Sequence, residues 1–383
     1  MILNNVYRVG DEKAGNISIS EGRITDGTAN RADDLQLVFN NAIAFPGLIN
    51  SHDHLDFNLF PQLGDRTHNN YTEWGNYIHQ KYKREITAVL NIPIALRTQW
   101  GLYKNLLCGV TTVVNHGDKL SINNSPITVI DNCQSLHSVH FEKKWKRRLN
   151  NPLKRNTTVV IHTGEGTDTA AGEEIDQLLH WNLLNRKLIG IHGVAMTPNQ
   201  AKHFNALVWC PQSNYFLLGT TAPIHRLKEN VPILFGTDST LTGHWSIWEH
   251  IRQARKTGYL TDNELYLNLT HNPATAWEIN GGSVAPGHDA DVVVARVKDE
   301  GSNMDGLLSL NPADILLVVD KGKIRLFDET LYSQLSNMPK DNFSKIKIDG
   351  AYKYVYGDLP GLMKSIQQFY PDAQFPVTCA CKT

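Results

Sequence analysis

Short apolar runs recur through the middle of the chain, at residues 110–114, 158–161, 188–191, 207–210 and 233–235. Each is bounded by polar or turn residues, and each predicts a strand. Between several of them, at residues 173–179 and 247–252, apolar positions return with helical spacing. Strand and helix in alternation predict a parallel sheet, and in a segment this long a (β/α)8 barrel. The two ends read differently. Asn16-Ile17-Ser18-Ile19-Ser20, the turn Glu21-Gly22-Arg23 and Leu35-Gln36-Leu37-Val38-Phe39 are short strands and turns. The same texture returns in Asp291-Val292-Val293-Val294-Ala295 and Ile315-Leu316-Leu317-Val318-Val319. The expected architecture is therefore α/β: a distorted TIM-like (β/α)8 barrel over residues 46–282. A small β-sandwich-like domain is expected from both chain ends, residues 1–45 and 283–383, the latter including a tail.

Polar residues able to bind metal follow these predicted strands. His52 and His54 close the run Pro46-Gly47-Leu48-Ile49-Asn50-Ser51-His52-Asp53-His54. In an extended segment, residues i and i+2 point to the same side, so the two imidazoles are placed as ligands of one divalent ion. His116 follows residues 111–115, His162 follows 159–161 with Glu165 three residues on, His192 follows 189–191, and Asp238 follows 234–237. In a barrel the C-terminal strand ends converge on one face, where catalytic groups gather. One histidine after an apolar strand is ordinary packing. The pattern repeated at five strand ends is not.

Bulk properties narrow the class. Lys+Arg number 37 against 38 Asp+Glu, a formal charge of −1, which argues against broad attraction to nucleic acid or anionic membrane. No stretch approaches the roughly 20 apolar residues of a membrane span. The beginning of the chain lacks a signal-peptide core. Cys108, Cys133, Cys210, Cys379 and Cys381 are odd in number and scattered, so a reduced, cytoplasmic location is expected. Cys379-Ala380-Cys381 reads as a frayed tail, and Lys143-Lys144-Trp145-Lys146-Arg147-Arg148 as a solvated helix face.

Several motifs together resemble the amidohydrolase superfamily, in the branch of cytosine, guanine and S-adenosylhomocysteine deaminases and triazine hydrolases. They are the segment ending in His52-Asp53-His54, Gly109-Val110-Thr111-Thr112-Val113, His162-Thr163-Gly164-Glu165, His192, and Cys210-Pro211-Gln212-Ser213-Asn214. Gly236-Thr237-Asp238-Ser239, Asn272-Pro273-Ala274 and the segment from Gly282 to Asp291 complete the order. The resemblance implies that His52, His54, His162 and Asp238 ligate one metal, Zn2+ with Fe2+ or Mn2+ as alternatives. It further implies Glu165 as a proton shuttle, His192 as a hydrogen-bond partner of the attacking water or the tetrahedral oxygen, and Asp238 as a proton acceptor. The expected reaction is hydrolytic deamination of a nucleobase-like or other nitrogen heterocycle. Hydrolytic opening of a cyclic amide, as in imidazolonepropionase-like relatives, and a non-catalytic barrel used for binding are the alternatives. A small heterocyclic substrate is the expected partner, with no nucleic acid and no membrane. A homodimer is a family-level expectation.

A binuclear site would need a carboxylated lysine after the fourth strand, and Lys143, Lys144 and Lys146 read as solvated instead. Residues 117–161 must supply the end of strand three, strand four, placed at 136–140, and the start of strand five, a short interval that puts the usual substrate contacts in doubt. Glu73-Trp74 suits stacking on a flat ring or simple packing. His116 suits a substrate contact or a structural role. His244-Trp245 suits closing the pocket or anchoring a loop.

Overall fold

A computed structural model describes residues 1–26, 35–122, 124–297 and 304–379. The N-terminal strands are β1 (Ile2–Arg8), β2 (Gly15–Ser20), β3 (Arg23–Thr25), β4 (Gln36–Val38) and β5 (Ala42–Pro46). The middle supplies β6 (Leu48–Asp53), β7 (Val110–Asn115), β8 (Thr128–Ile130), β9 (Gln134–Leu136), β10 (Val159–Thr163), β11 (Leu188–His192), β12 (Ala206–Trp209) and β13 (Ile233–Phe235). The C-terminal part adds β14 (Val292–Arg296), β15 (Ile315–Asp320), β16 (Lys323–Asp328), β17 (Phe343–Ile348), β18 (Ala351–Tyr356) and β19 (Val377–Cys379).

Strands from both ends join one eleven-stranded sheet, in which β5 pairs in parallel with β1 and antiparallel with β14. Its strands alternate with period two. Val292 and Val294 pack with Leu3, Ile17 and Phe327, while Val293 and Ala295 turn to the core that holds Phe45 and Val110. One face of the sheet is therefore built onto the central core. Cys379 lies in β19, paired against Ile346, rather than in a frayed tail; Cys381 is outside the described residues.

The middle strands form two parallel sheets, β6-β7-β8 and β9-β10-β11-β12-β13. They meet where the Thr237 and Asp238 amides, just past β13, donate to the His52 carbonyl at 3.1 and 3.0 Å. Gly236 permits this approach, since a β-carbon there would lie 2.7 Å from that of His52. At the other side β8 and β9 are not paired among the described residues. Only Asp131, Asn132 and Cys133 separate them, whereas a parallel crossover needs about a dozen residues. The two sheets are not joined there, and the strand expected at 136–140 is instead β9, which ends at Leu136.

Helices stand where expected at Thr169–His180 and Ile247–Thr257, each opened by a side-chain cap, Asp168 and Ser246. The basic run belongs to a short helix, Trp145–Leu149. Its Lys146 ammonium lies 4.0 Å from the Trp181 ring, and Arg148 pairs with Glu142. No helix among the described residues is long and apolar enough to cross a membrane.

Candidate metal centre and active site

His52, His54, His162, His192, Glu165 and Asp238 are brought together at the C-terminal ends of β6, β10, β11 and β13. The Nε2 atoms of His52 and His162 stand 3.3 Å apart, and Asp238 Oδ1 lies 3.6 Å from Nε2 of both His52 and His54. The donor atoms of His52, His54 and His162 all lie within 4.8 Å of one another. A tetrahedral ion with ligands at about 2.0–2.1 Å needs ligand atoms about 3.3 Å apart. The donor set fits a zinc-sized ion, and among the described residues no lysine lines the cavity to bridge a second one.

Neighbouring groups fix the orientation of the imidazoles. His162 donates Nδ1–H to the His137 carbonyl at 2.8 Å, which leaves its Nε2 lone pair for a metal. His192 is set the other way. Its Nδ1 accepts from the Asn214 amide at 2.9 Å, whose oxygen in turn accepts from Thr221 Oγ1 at 3.2 Å. The proton of His192 therefore sits on Nε2, which is 3.5 Å from Glu165 Oε1. His192 is close enough to His52 and Asp238 to be counted with a metal group, yet a ligand needs a bare nitrogen. This tautomer makes it a hydrogen-bond donor to the cavity.

Asp238 Oδ2 accepts from Ser213 and Thr242 at 2.8 and 2.9 Å, and its Oδ1 from the Ser239 amide at 2.9 Å. Burial raises its pKa, but the facing imidazoles outweigh that and hold the carboxyl well below the usual range. Glu165 is 6% exposed, and burial, then the charge of Asp238, pushes its carboxyl well above the usual range. Burial first, then the neighbouring imidazoles, lowers His162 and His54 and keeps both neutral. His192 and Asp238 both hold positive φ, 72° and 56°, in the left-handed region that non-glycine residues rarely adopt. Backbone strain of this kind is often concentrated at functional sites.

Behind the centre lies a buried ionic network. Lys104 pairs with Asp53 at 3.0 Å, and Asn105 and Asn58 donate to the same carboxylate at 2.7 and 2.8 Å. Lys104 and Asn50 also reach Thr237 Oγ1, which ties β6 to the segment carrying Asp238. The sequence reading missed this network; its signal was Asp53 itself, standing between two histidines.

The cavity in front of the centre has a volume of about 310 Å³ and includes Phe57, Tyr71, Trp74, His137 and Phe141 in its wall. Trp74 lines it, while Glu73 turns outward, its carboxylate accepting from Asn69. His116 does not line it. Its ring packs 4.4 Å from His162 and 5.2 Å from His52, buried behind the ligands with both ring nitrogens unpartnered. His244 and Trp245 line a neighbouring cavity; His244 accepts from the Ser246 amide and from His250, in an anchoring role. His137 and Phe141 were not singled out from the sequence, because the loop after the short strand β9 carries no periodic signal; Tyr71, at the start of the helix Tyr71–Lys81, was not singled out either.

Comparison with known proteins gives the class. Residues 150–325 match the amidohydrolase family, a span that includes His162, Glu165, His192 and Asp238. No curated protein matches the sequence. Among solved structures, the aminofutalosine deaminase of Helicobacter pylori is similar at 14% identity and a TM-score of 0.63, covering 84% of this chain and 99% of that one. The atrazine chlorohydrolase of Arthrobacter aurescens, solved with zinc, is similar at 15% identity and 0.64, covering 88% and 98%. The guanine deaminase of C. acetobutylicum, solved with guanine bound, gives 16% and 0.62, covering 84% and 99%. Residues 150–325 are thus similar to the amidohydrolase family, and the chain shares the α/β fold of these deaminases and the chlorohydrolase.

Proposed function

We propose that this protein is a single-metal hydrolase of C–N bonds that deaminates a nitrogen heterocycle. The observation that carries the reading is the spacing of His52, His162, His54 and Asp238, which matches one tetrahedral divalent ion, for which Zn2+ is the best fit. When bound, such an ion supplies a water of lowered pKa as nucleophile. Asp238 stands ready to take a proton, since it is ionised and faces the centre. Glu165, whose carboxyl is pushed well above the usual range by burial, is placed to give its proton to the ring nitrogen under attack, and the proton that Asp238 takes from the water then serves the leaving amine. His192 offers Nε2–H to the oxygen that gains charge at the attacked carbon. Trp74 supplies a face for the ring.

The relatives named above are deaminases and a chlorohydrolase, which leaves cyclic-amide opening the weaker reading. Retention of all four expected ligands weighs against a non-catalytic binding protein. We also read the two parallel sheets as an interrupted (β/α)8 barrel over residues 46–282, with residues 1–45 and 283–383 as a small β domain. A reducing, cytoplasmic setting suits the unbridged Cys108, Cys133 and Cys210.

The test is metal content beside ammonia release, across purines, pyrimidines, pterins and triazines. The purified protein is expected to hold about one equivalent of divalent metal. Glu165→Gln keeps the metal and loses at least about 10²–10⁴-fold in turnover, while His162→Ala loses both. Metal below about a tenth of an equivalent after metal-replete growth would favour the binding protein.

A further inference from the structure

The formal charge of −1 averages over a strongly uneven distribution. Seven of the 37 Lys and Arg side chains fall within residues 143–155, a stretch that holds no Asp or Glu. Arg148 pairs with Glu142, and Lys146 covers the Trp181 ring. Lys143, Lys144, Arg147, Lys154 and Arg155 are exposed and enter no ion pair among the described residues. Residues 150–158 lead into the start of β10, and residues 181–187 into the start of β11. These two strands are parallel, so both connections lie at the opposite end from His162 and His192.

Each connection also holds a leucine out into water, Leu153 at 93% exposure and Leu183 at 63%. One exposed leucine is ordinary, but these two stand on a built platform beside the unpaired cations. Asn150 donates to the Trp181 carbonyl at 2.7 Å and accepts from the Leu183 amide at 3.1 Å, which joins the two connections. Asn151 accepts from the Leu153 amide at 3.0 Å. Beneath them Arg186, 3% exposed, donates to the carbonyls of Leu149 and Thr157 at 3.0 and 2.6 Å. Aliphatic tips among cations complement a surface that is anionic outside and apolar just beneath, which is an anionic lipid bilayer. Single-stranded nucleic acid would stack on aromatic faces, and here Trp145 is buried while Trp181 lies under Lys146.

We propose that this face is a peripheral membrane-binding surface for anionic phospholipid. Leu153 and Leu183 enter beneath the headgroups, and the unpaired cations beside them neutralise lipid phosphates and carboxylates. Docking at this end leaves the cavity at the C-terminal strand ends open to water. The surface is independent of the reaction that the metal centre performs.

The experiment sediments the purified full-length protein with vesicles of phosphatidylcholine alone, and of phosphatidylcholine mixed with phosphatidylserine. Partition onto the mixed vesicles is expected to exceed that onto neutral ones by at least about tenfold, and to fall as salt rises from about 0.1 to 0.5 M. Absent binding, or equal binding to both vesicles, overturns the proposal. Reversing charge with Lys154→Glu and Arg155→Glu together should lower partition by at least about tenfold. The same change at Lys323 and Lys347, in the eleven-stranded sheet, should leave it unchanged. Equal losses from the two pairs would show that net charge, and not this face, is read. Leu153→Ser, at a position that packs against little and so keeps Tm, should lower partition by about tenfold. Unchanged partition of that variant means that no leucine enters the bilayer and overturns the proposal. A duplex RNA that displaces the protein from the mixed vesicles at equal phosphate assigns the face to nucleic acid and overturns it as well.

Discussion

Asn214 donates its side-chain amide to Nδ1 of His192 across 2.9 Å, and that bond fixes which face of the imidazole the cavity meets. The chain of donors behind it is complete. Trp209 Nε1–H donates to Thr221 Oγ1 at 2.7 Å, and Thr221 donates to Asn214. Nitrogen-15 NMR should find His192 protonated at Nε2 and His162 at Nδ1. Asn214→Leu is expected to release the His192 tautomer and lower turnover on the order of 10²-fold at unchanged metal content. Parallel loss of metal would mean that His192 serves as a ligand.

Lys104 and Asp53 are buried together, 2% and 0% exposed. Removing one partner leaves an uncompensated charge that still carries its hydrogen-bonding neighbours. Lys104→Met should cost about 3–5 kcal/mol in denaturant unfolding. A cost below about 1 kcal/mol would show that the asparagines alone satisfy the carboxylate.

Glu174 couples stability to pH. Burial pushes its carboxyl up to about 7, and its Oε1 accepts from Tyr71 and from the Val139 amide while Oε2 has no partner. The folded state therefore holds a proton that the unfolded chain has already released above pH 4.5. Stability is fully present below about pH 4.5 and is lost as pH rises through about 7, by at most about 3 kcal/mol. Glu174→Gln should abolish this part of the pH dependence and stabilise the protein at pH 8. A variant with an unchanged pH profile would show that Glu174 is ionised in the fold.

Metal removal should be visible in the melting curve. The four donors belong to the folded state, so a bound ion stabilises it by mass action, about 4 kcal/mol at a free concentration a thousandfold above Kd. Chelation should lower Tm and Zn2+ should restore it. Because burial already keeps His54 and His162 neutral, uptake at pH 7 should release few protons, read by calorimetry in buffers of different ionisation enthalpy. A release of two or more protons per ion would contradict those lowered values.

Local pattern alone determined much of this protein. The runs ending at His52, His162 and His192 became β6, β10 and β11 because short apolar stretches between turns have few other ways to be buried. Alternation with helices told that these strands are parallel, and parallel strands in such a fold bring their C-terminal ends to one face. That is why His52, His54, His116, His162, His192 and Asp238 could be named as strand-end candidates before any coordinate, while the choice of His52, His54, His162 and Asp238 as ligands came from the family resemblance. Both β-rich ends were visible for the same reason.

Other features depended on contacts between distant segments. The break between β8 and β9 follows from a connection too short for a crossover, in a stretch whose strands are only three residues long. The tautomer of His192 depends on Asn214, which a helix after β12 brings to it. The role of Asp53 depends on Lys104, 51 residues away in sequence. His116 shares the sequence signature of the ligands, yet its ring is held behind them, because a strand end sets only which side a residue faces. Depth along that face, and the partner waiting there, come from how the elements pack.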